Sequence, residues 1–160
     1  EGASHTAGSG KVSAEVRRLE KESDFCQWEA MLTRSLDRNR MMVRDGMVYY
    51  LPECFEKSWN LRYLRSGLLL GECKKNRFEP SQAAAMALPM AEFSQSVSLA
   101  ADDERTIRYL KGETIFPTLK EAACLKKGWV LIGVDVYPLG WAKYTGSSFK
   151  NKYYPGWRWQ

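Results

Sequence analysis

Two groups of residues in this sequence have types and spacing that could do chemistry, and in both the chemistry is phosphate binding. Arg62, Arg65, Lys74, Lys75 and Arg77 lie within residues 62–77 against one acid, Glu72. Residues 140–160 carry Lys143, Lys150, Lys152 and Arg158 with three Trp and three Tyr, and no carboxylate at all. Lysine and arginine neutralise phosphates, and exposed rings stack on unpaired bases at about 1–3 kcal/mol each. Interleaving the two suits a single-stranded or irregular RNA. The candidate phosphate contacts are Arg65, Lys74, Lys75, Arg77, Lys143, Lys150 and Lys152. Asn76 and Asn151 are candidate hydrogen-bonders to base or ribose, and Tyr153 is the candidate stacking ring. A plainer alternative stays open for each group. The "KKNR" run also reads as a solvated turn, and most of Trp141, Tyr144, Phe149, Tyr153 and Trp157 also read as core.

Catalytic constellations are missing. No G-x-S-x-G, Walker loop or G-x-G-x-x-G occurs, and the single histidine, His5, lies in a Gly/Ser/Ala-rich start. Asp102 and Asp103 sit where a helix N-terminus explains them. Of Cys26, Cys54, Cys73 and Cys124, only Cys73 has a basic setting, beside Lys74 and Lys75, and no base accompanies it. Without a C-x-x-C pair, the cysteines read as free thiols rather than as zinc ligands or a disulfide framework. No apolar run reaches the roughly 18 residues of a membrane span, and no signal peptide is visible. The chain therefore reads as soluble and cytoplasmic. Its formal charge of +5 permits an anionic partner without requiring one.

The elements that must position these groups follow from periodicity and turn chemistry. Val12, Val16 and Leu19 mark a first helix; Asp24 is placed to cap a second, carrying Phe25, Trp28, Met31, Leu32 and Leu36. Asp45-Gly46 separates strands expected at 41–44 and 47–51, a hairpin signal because both turn residues tolerate positive φ. Further strands are expected at 61–64 and 68–71. Ser81 caps a short Ala-rich helix that Pro89 ends, and residues 90–99 show no clear element. Asp102-Asp103-Glu104 opens another helix and Gly112 closes it, with Ile107 and Leu110 as its buried side. The final third reads as β: strands at 129–134, 139–144 and 149–153, with turns at 135–138 and 145–148.

At "LRSGLLLGECKKNRFEPSQAAAMAL", at "YLKGETI" and at "GWVLIGVDVYPLGWAKYTGSSFKNKYYP", the sequence resembles the C-terminal region of Sun/RsmF-type ribosomal RNA cytosine-5 methyltransferases. The three motifs occur in the same order over residues 51–158. The resemblance implies an α+β chain: residues 1–10 a linker or remnant, 11–90 a first C-terminal domain, and 91–160 a PUA-like RNA-binding β-barrel. It implies a parent enzyme with an upstream methyltransferase domain, S-adenosylmethionine as its cofactor, and two catalytic cysteines, one of them following a proline. None of the four cysteines here follows a proline, so the catalytic half is expected outside this chain, which itself needs no cofactor. Expected partners are small-subunit ribosomal RNA or the assembled small subunit, and the parent's own methyltransferase domain; the expected state is a monomer. The crowded "GWRWQ" end departs from the family pattern and puts the site geometry there in doubt.

Two alternatives remain at this stage. One is a structural module whose basic face docks on its own methyltransferase domain or another protein without touching RNA. The other is independent catalysis through Cys73.

Overall fold

The computed structural model describes residues 12–55 and 66–160. The chain opens with two short helices, α1 (Ala14–Leu19) and α2 (Ser23–Glu29). Ser13 caps α1 by accepting from the Val16 N–H, and Val16 and Leu19 are buried as their spacing requires. Asp24 is not the cap of α2. That position falls to Glu22, which makes no side-chain cap bond, and Asp24 lies in the first turn, favourable to the helix dipole. The helix also stops at Glu29, short of Leu32 and Leu36, because Leu32 pairs its backbone with Phe93 instead.

The first sheet is antiparallel, in order β1 (Met41–Arg44), β2 (Met47–Tyr50), β3 (Leu68–Lys74), β4 (Arg77–Pro80). The β1–β2 turn is Asp45-Gly46, with φ of 52° and 79°, as the dipeptide predicts. The strand expected at 61–64, together with Arg62 and Arg65, lies outside the described residues. The strand expected at 68–71 runs on to Lys74, so "KKNR" becomes the tip of a two-residue hairpin in which Asn76 takes φ 58°. Ser81 then caps α3 (Gln82–Ala87), its hydroxyl accepting from the Ala84 N–H.

The second sheet runs β5 (Ser96–Leu99), β6 (Gly128–Val134), β7 (Tyr137–Tyr144), β8 (Phe149–Asn151). β5 pairs with β6 in parallel; the other neighbours are antiparallel. The crossover between β5 and β6 holds α4 (Glu104–Leu110) and α5 (Leu119–Cys124). A backbone bridge between Ile115 and Phe149 adds a pairing at the β8 edge, and no closed ring of strands is registered among the described residues. The α+β class stands. On α4 the buried side is Thr106 and Tyr109, whereas Ile107 is half exposed and Leu110 only partly covered. The Tyr109 phenol fixes that rotation by donating to the Trp141 carbonyl at 2.8 Å.

The two sheets are joined by a common core. Trp28 of α2 meets Phe78 of β4 at 5.1 Å between centroids and Trp141 of β7 at 6.1 Å, and Phe93 meets Trp141 at 5.0 Å. Leu131 of β6 and Met90 complete the cluster. A second cluster, on the opposite face of β6–β7, gathers Val130, Ile132, Ala142, Tyr144, Phe149 and Tyr109. Side chains of a strand alternate between faces, so Leu131 and Trp141 point to the first sheet while their neighbours point to the second core.

Candidate nucleic-acid interface

β4 lies against the face of β6 and β7 that carries the two tryptophans, and polar bonds set the contact. The Trp129 indole donates to the Phe78 carbonyl (3.1 Å), the Trp141 indole to Ser81 (2.7 Å), and the Gln82 amide to Leu139 (2.6 Å). The contact is close at Gly140, where an added Cβ would stand 2.9 Å from both the Gln82 Oε1 and the Tyr109 hydroxyl.

This seam carries cations on both sides. Across the β3–β4 hairpin, Glu72 stands opposite Glu79 and Lys74 opposite Arg77, like charge facing like charge. The clash is relieved by opposite charges across and along the strands: Lys74 Nζ lies 2.6 Å from Glu79, diagonally across the pair, and 3.2 Å from Glu72 on its own strand, and Arg77 Nε lies 3.2 Å from Glu79 on its own strand. The ammonium of Lys74 holds the Glu79 carboxyl below the usual carboxylate range, helped by Arg77 and by Lys152 from beyond β8. The geometric link between the two basic groups is Trp129: its indole bonds the carbonyl of Phe78, the neighbour of Arg77, and its ring lies 5.9 Å from the Lys143 ammonium.

On β7 and β8, Lys143 and Lys150 are directly opposite and both exposed. The Lys152 N–H donates to the Trp141 carbonyl, which continues the pairing and puts Lys152 on the same face. The Lys143 ammonium sits 5.9 Å from the Trp129 ring centre, a cation–π contact. Lys143, Lys150 and Lys152 make no ion pair among the described residues, unlike Lys74 and Arg77. Lys75 is exposed at the hairpin tip, next to Asn76, whose backbone makes the turn.

Two sequence candidates are spent on the fold. Tyr153 is 9% exposed and packs its ring 5.5 Å from Tyr109, so it belongs to the second core and offers no face to a base. Asn151 donates to the carbonyls of Tyr109 (2.7 Å) and Glu113 (3.0 Å) and accepts from the Tyr153 N–H, closing the end of α4. Arg65 lies outside the described residues. Among the rings expected as core, Trp141, Tyr144 and Phe149 are buried with Tyr153, and Trp157 is not. The sequence reading missed Trp129, whose place beside Lys143 follows from the β6–β7 register, and Lys127, whose stem lies against Gly146 in the turn before β8.

The Cys73 thiol is half-buried, and burial, then Glu22 and Glu72, pushes it up to about 11, so it stays protonated at neutral pH despite its two lysine neighbours. No group of three His, Cys, Asp or Glu able to hold a metal occurs among the described residues. The turn that follows β5, residues 100–103, reads Ala-Ala-Asp-Asp and lacks the glycines that let a backbone approach a nucleotide cofactor. No helix among the described residues is long and apolar enough to cross a membrane. A groove of about 350 Å³, away from the lysines, is floored by Trp28, Leu70 and Ala84 and rimmed by Arg40, whose guanidinium lies 4.6 Å over the Tyr50 ring.

Comparison with known proteins accounts for both halves. Residues 24–88 match the family model of the RsmF rRNA methyltransferase first C-terminal domain. Residues 96–159 match that of the methyltransferase RsmF PUA domain. Among curated relatives, the chain is 30% identical over 112 residues to the ribosomal RNA small subunit methyltransferase F of Shewanella oneidensis, covering 69% of this chain and 22% of that protein. To the protein of the same name from Shewanella baltica it is 27% identical over 140 residues, covering 86% of this chain and 28% of the relative. The chain thus spans about a quarter of the length of these relatives. With a first C-terminal domain and a PUA domain in that order, joined through Trp28, Phe78 and Trp141, the chain belongs to the RsmF rRNA methyltransferase family.

Proposed function

We propose that this chain is the noncatalytic, RNA-binding C-terminal region of a bacterial, S-adenosylmethionine-dependent ribosomal RNA cytosine-5 methyltransferase, acting in the cytoplasm to position small-subunit RNA. One observation carries the reading. The strand that carries Arg77 bonds the Trp129 indole, and the same ring lies under Lys143, which pairs across the sheet with Lys150; Lys143, Lys150 and Lys152 stand outside any described ion pair. A phosphodiester backbone laid along the seam would release counterions at each lysine. The cofactor is assigned to the parent's own methyltransferase domain, and the chain works as a monomer beside it.

Binding of the chain to small ribosomal subunits and to an unrelated structured RNA, each over a salt series, tests this. The reading expects a steep fall of log K with log[salt] and preference for the subunit. A shallow slope without preference would remove it.

A second reading, docking on the methyltransferase domain or on another protein, is favoured by one feature. Ile107, Phe116 and Leu119 on and beside α4 and α5 are 50%, 56% and 92% exposed. It expects no RNA affinity beyond that of any protein of equal charge.

A further inference from the structure

The C-terminal end presents three large rings to solvent: Tyr154, Trp157 and Trp159 are 53%, 52% and 56% exposed. They are not on a loose tail. The Trp159 N–H donates to the Leu110 carbonyl at the end of α4, and Trp157 and Arg158 close a single turn back onto Tyr154 and Pro155. The Arg158 guanidinium reaches the Tyr153 carbonyl, and its side chain lies so close over Gly112 that a Cβ there would stand 2.5 Å from Nε. Gly112 has φ 83°, so the seat for Arg158 depends on glycine twice over. Trp157 meets Tyr154 edge-to-face at 5.8 Å and Tyr153 at 6.4 Å, and still keeps 52% of its surface exposed, as Tyr154 keeps 53%.

Fixed, outward rings cost apolar exposure, and their surroundings indicate what covers them. Arg158 is seated among them, over Gly112, and no carboxylate occurs from residue 140 to the end. The nearby Glu113 is held by Arg108 at 2.9 Å. An occupant that is anionic and offers flat apolar faces, as an unpaired nucleotide does, matches this surface in charge and shape.

Resting on the RNA-binding reading, we infer that Tyr154, Trp157 and Trp159 form a stacking platform for unpaired bases, so that this end selects single-stranded over duplex RNA. The lysines at the seam supply charge without regard to pairing, and the platform supplies the discrimination.

The test uses the whole chain, titrated at one low salt concentration with single-stranded oligo(A) and with the oligo(A)·oligo(U) duplex. Trp157→Leu with Trp159→Leu keeps apolar bulk and removes the flat faces; unchanged circular dichroism and melting temperature check its fold, and Tyr154→Leu serves as an independent variant. Affinity for oligo(A) should fall about ten-fold while duplex affinity stays within about two-fold. Unchanged oligo(A) affinity, or equal weakening of both ligands, overturns the inference. If those variants bind like wild type while Lys143→Ala with Lys150→Ala and Lys152→Ala weakens both ligands, the platform is wrong and the RNA-binding seam survives. If the wild-type chain binds neither ligand, or the Trp variants lose only association with the methyltransferase domain, the inference falls with no RNA role left for the rings.

Discussion

The Trp141 indole donates at 2.7 Å to the carbonyl of Ser81, the residue whose hydroxyl caps α3. One bond thus ties the middle of the second sheet to the start of a helix in the first. Trp141→Ala removes this bond and a ring in contact with Trp28 and Phe93, and should cost about 3–5 kcal/mol. Urea unfolding followed by fluorescence and by circular dichroism should show a single, earlier transition. Loss of one sheet with the other intact would contradict a shared core.

The lysines at the seam should act as a group. Lys143→Ala with Lys150→Ala and Lys152→Ala should weaken all RNAs alike and lower the salt slope by about 2, since each phosphate contact contributes roughly 0.7–0.9. Lys74→Ala should do less for binding and more for stability, because its ammonium bridges Glu72 and Glu79. Equal effects of the two variants on the salt slope would mean that the hairpin, too, touches phosphate.

The N-terminus of α4 should be acid-sensitive. Arg105 makes a two-toothed contact with Asp103, at 2.7–3.0 Å, and reaches Glu121 of α5 at 2.8 Å. The guanidinium holds the Asp103 carboxyl below its ordinary value. A depressed folded-state value means the contribution is complete above about pH 4 and is lost as the pH falls through that lower value. Asp103→Ala, which also removes the cap, should cost about 1 kcal/mol at pH 7 and progressively less at lower pH. Melting temperatures from pH 7 to pH 2 would show the two curves converging; parallel curves would argue against the contact.

Cysteine reactivity should divide by environment. Cys54 and Cys124 are exposed, whereas the Cys73 thiol is half-buried and raised to about 11. Iodoacetamide at pH 7.5 should label the first two and spare Cys73 in peptide mass maps, with Cys73 labelling rising only as the pH nears 11. Fast labelling at neutral pH would reopen the case for a nucleophile. The raised value also has a stability cost: the neutral thiol's advantage is lost as the pH climbs from the ordinary thiol range towards 11.

Local chemistry in the sequence marked the hairpin at Asp45-Gly46, the cap at Ser81, the acidic start of α4, and the strands of β6 and β7, because each signal is complete within a few residues. β5 went unseen although Val97 and Leu99 alternate with serines, since its parallel partner lies beyond α4 and α5. α4 was rotated wrongly for a related reason: Tyr109 is buried through the distant Trp141 carbonyl, and nothing within α4 signals that. The site divided in the same way. Charge placed Lys143, Lys150 and Lys152 on one surface, but Tyr153 and Asn151 could be assigned only once α4 was known to lie behind them. Ring types alone do not distinguish Tyr153, in the core, from Tyr154, outside it.

Because Phe93 and Trp141 serve as walls for the core that begins at Phe25 and Trp28, moving one family domain against the other would open that core to water. The strands that carry the hairpin cations and the β7–β8 cations are packed on that one core, so an RNA bound as proposed would meet both sets in one arrangement. A chimera that exchanges the PUA domain between relatives would therefore have to carry its matching Trp28, Phe78 and α3 surface with it. Otherwise the graft would break a core, not join two modules.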